Sequence, residues 1–215
     1  MYYGNSFNIF YEGDLSSYLK QQNALIKESI YNAKEDYILN VNETEYKDYL
    51  HKKYTIEPIS FDFNNVYAEA SEKDVEVNDR FYGGYIQRCV VYVYHIPFTG
   101  NAELLKLKPN PFNMWSIKVQ WSNNNKILFE IVDSSSSVEN VNRDYQSTID
   151  SMKRNVDNSF KNVQAYNHSL KEIINTQFSK RKKELLERRK QMAALSVPIK
   201  YLQMFQRISQ FQLPK

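Results

Sequence analysis

The stretch from Ser137 to Leu195 constrains this chain more than any other. Apolar residues fall at Val138, Val141, Tyr145, Ile149, Met152, Val156, Phe160 and Val163, separated by three or four positions. That spacing keeps one stripe on one face of a helix. The residues between them are Asn, Asp, Arg, Lys, Ser and Gln, so the opposite face is wet. Ser136 or Ser137 is placed to cap the first turn. Between Asn162 and Asn167 the pattern weakens. Asparagine competes with helical hydrogen bonds and tolerates turns, so the spacing predicts a short connection there. Leu170, Ile174, Phe178, Leu185 and Met192 resume a stripe as far as Leu195, and Pro198 marks the stop. Two amphipathic helices with a short link predict a long antiparallel helical hairpin.

Upstream, Asp14 is suited to cap a helix from Leu15 to about Lys34, and Asn42 one that ends at Lys53. Asp36 to Leu39 reads as a connection between them. Ile56 to Phe63 and Lys73 to Val77 read as strands, with Gly83-Gly84 as the turn before Tyr85 to Ile96. The run Cys89 to Tyr94 is apolar on both faces, which predicts a central strand covered on both sides. Trp115 to Trp121 and Ile127 to Val132 alternate on either side of a polar loop and predict a β-hairpin. Asn110-Pro111 signals a turn, and Ala102 to Lys108 a helical turn. The fold class expected is α+β: N-terminal helices, an antiparallel sheet core and the C-terminal helical hairpin. The expected divisions are 1–136 for the α+β domain, 137–200 for the hairpin and 201–215 for a tail or short helix.

Charge is segregated. Met1 to Arg80 holds 8 basic and 15 acidic residues, whereas Ser137 to Lys215 holds 15 basic and 7 acidic. The basic excess is concentrated in Lys180, Arg181, Lys182, Lys183, Arg188, Arg189 and Lys190, with only Glu184 and Glu187 among them. Such a run suits phosphate neutralisation or a protein partner. It equally suits docking of the basic helix on the acidic first part of the chain. Leu185 and Leu186 inside the run mean that one side packs.

No catalytic constellation is legible, so a non-enzymatic module is expected, with no cofactor. Glu130 and Asp133 lie on or just after a strand, but no lysine follows them at the spacing a metal-dependent nuclease needs. Arg88 to His95 carries an arginine and a histidine on a strand, where a ribonuclease pair of that kind needs a helix. His51, His95 and His168 lie on three different elements without metal-ligand spacing. One cysteine, Cys89, excludes an internal disulfide. The N-terminal residues carry no signal-peptide pattern and no run spans a bilayer, which sets the expectation of a cytoplasmic protein with no membrane partner. The partner expected is a second copy or another protein, held through the helical hairpin. The alternative is nucleic acid on the basic run.

Three groups of residues also carry a family resemblance. One is His95-Ile96-Pro97-Phe98-Thr99-Gly100 with Glu103-Leu104-Leu105 and Pro109. The second is Tyr166-Asn167, Leu170, Arg181-Lys182-Lys183, Leu186 and Ala194-Leu195-Ser196-Val197-Pro198-Ile199-Lys200. The third is Asp36-Tyr37-Ile38-Leu39, Tyr49-Leu50 and Tyr54-Thr55-Ile56-Glu57-Pro58. Together, over about Leu15 to Lys200, they resemble the non-catalytic N-terminal region of bacterial antiphage defence proteins. The C-terminal half of such proteins resembles a restriction-type nuclease of the PD-(D/E)xK superfamily. The resemblance implies a targeting or assembly role, with nuclease chemistry supplied elsewhere. No nuclease residue carries over, because the matching positions would follow Lys215.

Overall fold

A computed structural model describes residues 6–79, 83–122 and 125–195. It is α+β. The strands β1 (Ser6–Asn8), β7 (Lys118–Ser122), β8 (Lys126–Asp133), β5 (Gly83–Thr99) and β3 (Ser60–Phe61) lie side by side in that order. A further strand, β4 (Tyr67–Asp79), pairs with β5 along the same edge as β3. Every pairing in this sheet is antiparallel. A small parallel pair joins β2 (Gly13–Asp14) to β6 (Leu107–Lys108).

Three helices precede the sheet core. Asp14 accepts from the Ser17 backbone N–H at 2.7 Å and starts α1 (Leu15–Tyr31). Asn42 caps α3 (Glu43–Tyr54) by accepting from Thr44 and Glu45. Between them, the expected connection at Asp36 to Leu39 is instead a helix, α2 (Glu35–Asn40). Its six residues are held by the fully buried Ile38 and favoured by two carboxylates, Glu35 and Asp36, in its first turn.

The β-hairpin of β7 and β8 stands where the alternation put it, although β7 starts at Lys118. Trp115 and Ile117 reach the core from irregular backbone. Of the Ile56 to Phe63 segment only Ser60–Phe61 pairs as strand, while Ile56 and Ile59 are buried outside it. Lys73 to Val77 belongs to the longer β4, and the expected turn at Ala102 is a 3-10 turn from Ala102 to Lys106.

β5 is central, and each of its faces is closed differently. Tyr92, Tyr94 and Ile96 look toward the long C-terminal helix, with Tyr94 stacked on Tyr145 at 4.6 Å. On the other face, Lys73 stands opposite Cys89 and Glu130 opposite Val93. Their ion pair of 2.9 Å therefore crosses β5 above Val91, which is 1% exposed. Over Cys89 to Ile96 the two faces are thus covered differently, one by a helix and one by the sheet's own long side chains, whereas Gly84 to Ile86 and Arg88 are exposed.

The expected hairpin is not formed. Val138–Ala193 is one uninterrupted helix, α4, of 56 residues, about 84 Å long at 1.5 Å per residue. Ser137 caps it by accepting from Asn140. The asparagines read as a break turn outward from their own backbone and bond to other segments. Asn162 accepts from the Asn110 N–H and donates to the Asn110 carbonyl, both at 2.8 Å. Asn167 does the same to Ile56, at 3.0 and 2.7 Å. Asn155 holds both backbone groups of Asn113, and Asn158 donates to Pro111. A carboxamide copies the donor and acceptor of a peptide group, so each asparagine splints irregular chain without weakening its own helix. The buried stripe then continues through Val156, Ser159, Val163, Tyr166, Leu170, Ile174 and Phe178, and Leu185 is buried two turns further on. Val138 and Phe160, assigned to it from spacing, are 61% and 41% exposed.

The first half of α4 packs on the sheet, and the second half packs on α1, α2 and α3. The division at residue 137 therefore marks where α4 starts, and the helix joins both layers. The expected tail at 201–215, including Tyr201 to Phe211, lies outside the described residues. Among the described residues, no helix is long and apolar enough to cross a membrane.

Candidate functional site

The basic run occupies the last turns of α4, beside α2 and α3. Phe178 sets the approach: fully buried, it meets the ring of Tyr46 on α3 at 5.8 Å. α3 runs antiparallel to α4 here, with Glu43 beside Lys182 and Tyr54 accepting from the Tyr166 hydroxyl at 3.1 Å. Burial, reinforced by the neighbouring Tyr37, Tyr49 and Tyr54, pushes the Tyr46 phenol up to about 12. That contact is a sealed packing junction.

The seven basic residues split into two sets. Lys182 pairs with Glu43 at 3.1 Å, Arg188 with Glu35 at 2.5 Å, and Arg189 with Asp36. The Arg181 guanidinium lies 5.1 Å from the centre of the Tyr31 ring, whose hydroxyl donates to Glu184 at 3.3 Å. These four face the acidic N-terminal helices. Hydrogen bonds from Lys47 and then Lys182 hold the Glu43 carboxyl below its ordinary value of 4.5. Lys180, Lys183 and Lys190 have no ion pair among the described residues.

An open cleft of about 300 Å³ separates the α3 N-terminus from this end of α4, lined by Glu43, Ser179, Lys182, Lys183, Leu186, Glu187 and Lys190. Lys183, Leu186 and Lys190 sit three and four residues apart and so share one helix face. Leu186 is 47% exposed between the two free ammonium groups. A second cleft of about 610 Å³ continues from Glu43 past Lys47, His51 and Lys171 to Asn175. The arrangement offers apolar contact ringed by positive charge, with Glu43 and Glu187 as acceptors. It holds no nucleophile paired with a base.

The residues weighed for catalysis are scattered. Arg88 pairs with Glu72 at 2.8 Å on the exposed ribbon of β4 and β5. His95, mostly buried, stacks on Tyr67 at 4.5 Å with Glu69 at 3.6 Å. Glu130 is taken up by Lys73, and Cys89 is a buried free thiol. No three His, Cys, Asp or Glu side chains gather as a metal site among the described residues.

Sequence reasoning located the basic run and the acidic first part, and held their docking as one of the alternatives that the charge segregation allows. It missed Glu35, Asp36 and Glu43 as the individual partners. The signal available was three acids at or beside helix starts, facing a basic helix end. Compared with protein-family models, with curated proteins and with solved structures, the chain matches none.

Proposed function

We propose that this chain is a non-enzymatic binding module that holds a protein, another subunit or a second copy of itself, against the basic end of α4. The observation that carries the reading is the split in the basic run. Lys182, Arg188 and Arg189 neutralise the chain's own carboxylates, while Lys183 and Lys190 flank an exposed Leu186 over an open cleft. An apolar centre with a polar rim is the usual anatomy of a protein contact. Phosphate recognition is served less well, because the internal ion pairs remove cations from the run and Glu187 stands within the cleft. The sequence resemblance adds a setting: a bacterial antiphage defence assembly in the cytoplasm, whose chemistry a nuclease half or separate effector supplies.

The test compares the full chain with its Leu186→Asp/Lys183→Glu variant by light scattering and by affinity capture from a bacterial host. The reading expects a concentration-dependent mass above 25.5 kDa, or a captured protein, and loss of either in the variant. A wild-type monomer that captures nothing, or a variant indistinguishable from wild type, overturns it.

A further inference from the structure

A second surface, far from the basic run in character, is the free edge of β4. Among the described residues this 13-residue strand pairs with β5 alone. From Tyr67 to Val77 only Val75 and Val77 are half-buried, and the other residues are exposed. A strand paired on one side presents alternate backbone N–H and C=O groups outward, which is a template for another strand.

The side chains on that edge are not neutral. Glu72, Asp74 and Glu76 alternate along one face, and Lys73, Val75 and Val77 along the other. Lys73 is drawn across the sheet to Glu130, and Glu72 is paired with Arg88. Asp74 and Glu76 have no ion pair among the described residues. A charged edge guards against uncontrolled pairing. A row of one sign is a selective guard, however. A second copy of β4 would set carboxylates against carboxylates, which is destabilising, whereas a cationic strand would meet opposite charges.

We propose that β4 is a docking edge for an extended partner segment in which basic and aliphatic residues alternate. Such a strand adds to the sheet through main-chain hydrogen bonds. Its basic side chains face Asp74 and Glu76, and its aliphatic ones cover Val75 and Val77. Affinity comes from the backbone ladder and selectivity from the carboxylate row.

The experiment uses the full chain with three synthetic octapeptides, Lys-Val, Glu-Val and Lys-Pro repeats. Backbone amide exchange and binding are followed at low and moderate salt. The Lys-Pro repeat keeps the charge but lacks the backbone N–H at every second residue. The proposal expects the Lys-Val peptide alone to slow exchange at the outward-facing amides between Glu72 and Val77. It also expects the Asp74→Lys/Glu76→Lys variant, altered only at exposed positions, to bind that peptide about tenfold more weakly. Three results overturn it: no slowing in β4, equal binding of the Lys-Pro or Glu-Val peptide, and binding unchanged in the variant.

Discussion

Asn155 is fully buried on α4, and both ends of its carboxamide are used. Its oxygen accepts from the Asn113 N–H at 3.0 Å, and its nitrogen donates to the Asn113 carbonyl at 3.3 Å. Removing the amide strands two backbone groups beside a helix that cannot replace them. Asn155→Ala is expected to cost about 1–3 kcal/mol, the range for leaving buried polar groups unpaired. Asn158→Ala, which loses one bond at an exposed position, is expected to cost less than about 1 kcal/mol. Urea unfolding with an unchanged denaturant slope measures both, and equal losses would contradict the distinction. The same residues explain where the sequence misled. A helical asparagine competes locally with its own backbone, and that local effect is all a spacing argument sees. Its actual partners lie 42 to 111 positions away, which no local pattern reveals.

Helix starts were the most legible elements, because a cap is a local device. Asp14 and Asn42 each accept from the first turn they were assigned to, and of the two candidates Ser136 and Ser137 it is Ser137 that caps α4. The β7–β8 hairpin was legible for a similar reason, since alternation and a polar loop suffice. α2 was not, because six residues are too few to show periodicity and the burial of Ile38 holds them. The ion pairs that tie α2 and α3 to α4 were foreshadowed only as a bulk charge imbalance. Their side chains are largely exposed, and such pairs contribute little stability each. Their larger effect is to occupy cations. Neutralising the three acids together, Glu35→Gln, Asp36→Asn and Glu43→Gln, is expected to leave the fold intact and to raise non-specific affinity for duplex DNA at low salt. Releasing about three cations also steepens the salt dependence of binding. Unchanged affinity, measured by fluorescence anisotropy across a salt series, would show that those pairs do not hold the basic run back.

In the whole molecule, an antiparallel sheet and a cluster of three helices are joined by one spine. α4 begins on β8, buries Tyr145, Ile149 and Met152 against the sheet side, and ends among Phe178 and Leu185 on the helical side. The candidate contact at Lys183, Leu186 and Lys190 exists only because α4 continues past Asn167. A hairpin would have turned the basic run back beside the sheet. The α+β class was legible from the order of patterns, while the course of α4 depended on partners distant in sequence. Straight continuity is therefore the claim on which the site rests. It is tested by the spin-label distance between Asp144→Cys and Lys180→Cys, both exposed positions, in a Cys89→Ser background that removes the native thiol. A continuous helix places the two labels about 54 Å apart at 1.5 Å per residue. A distance under about 20 Å, set by the 8–10 Å spacing of packed helices, would mean a hairpin and would contradict the account.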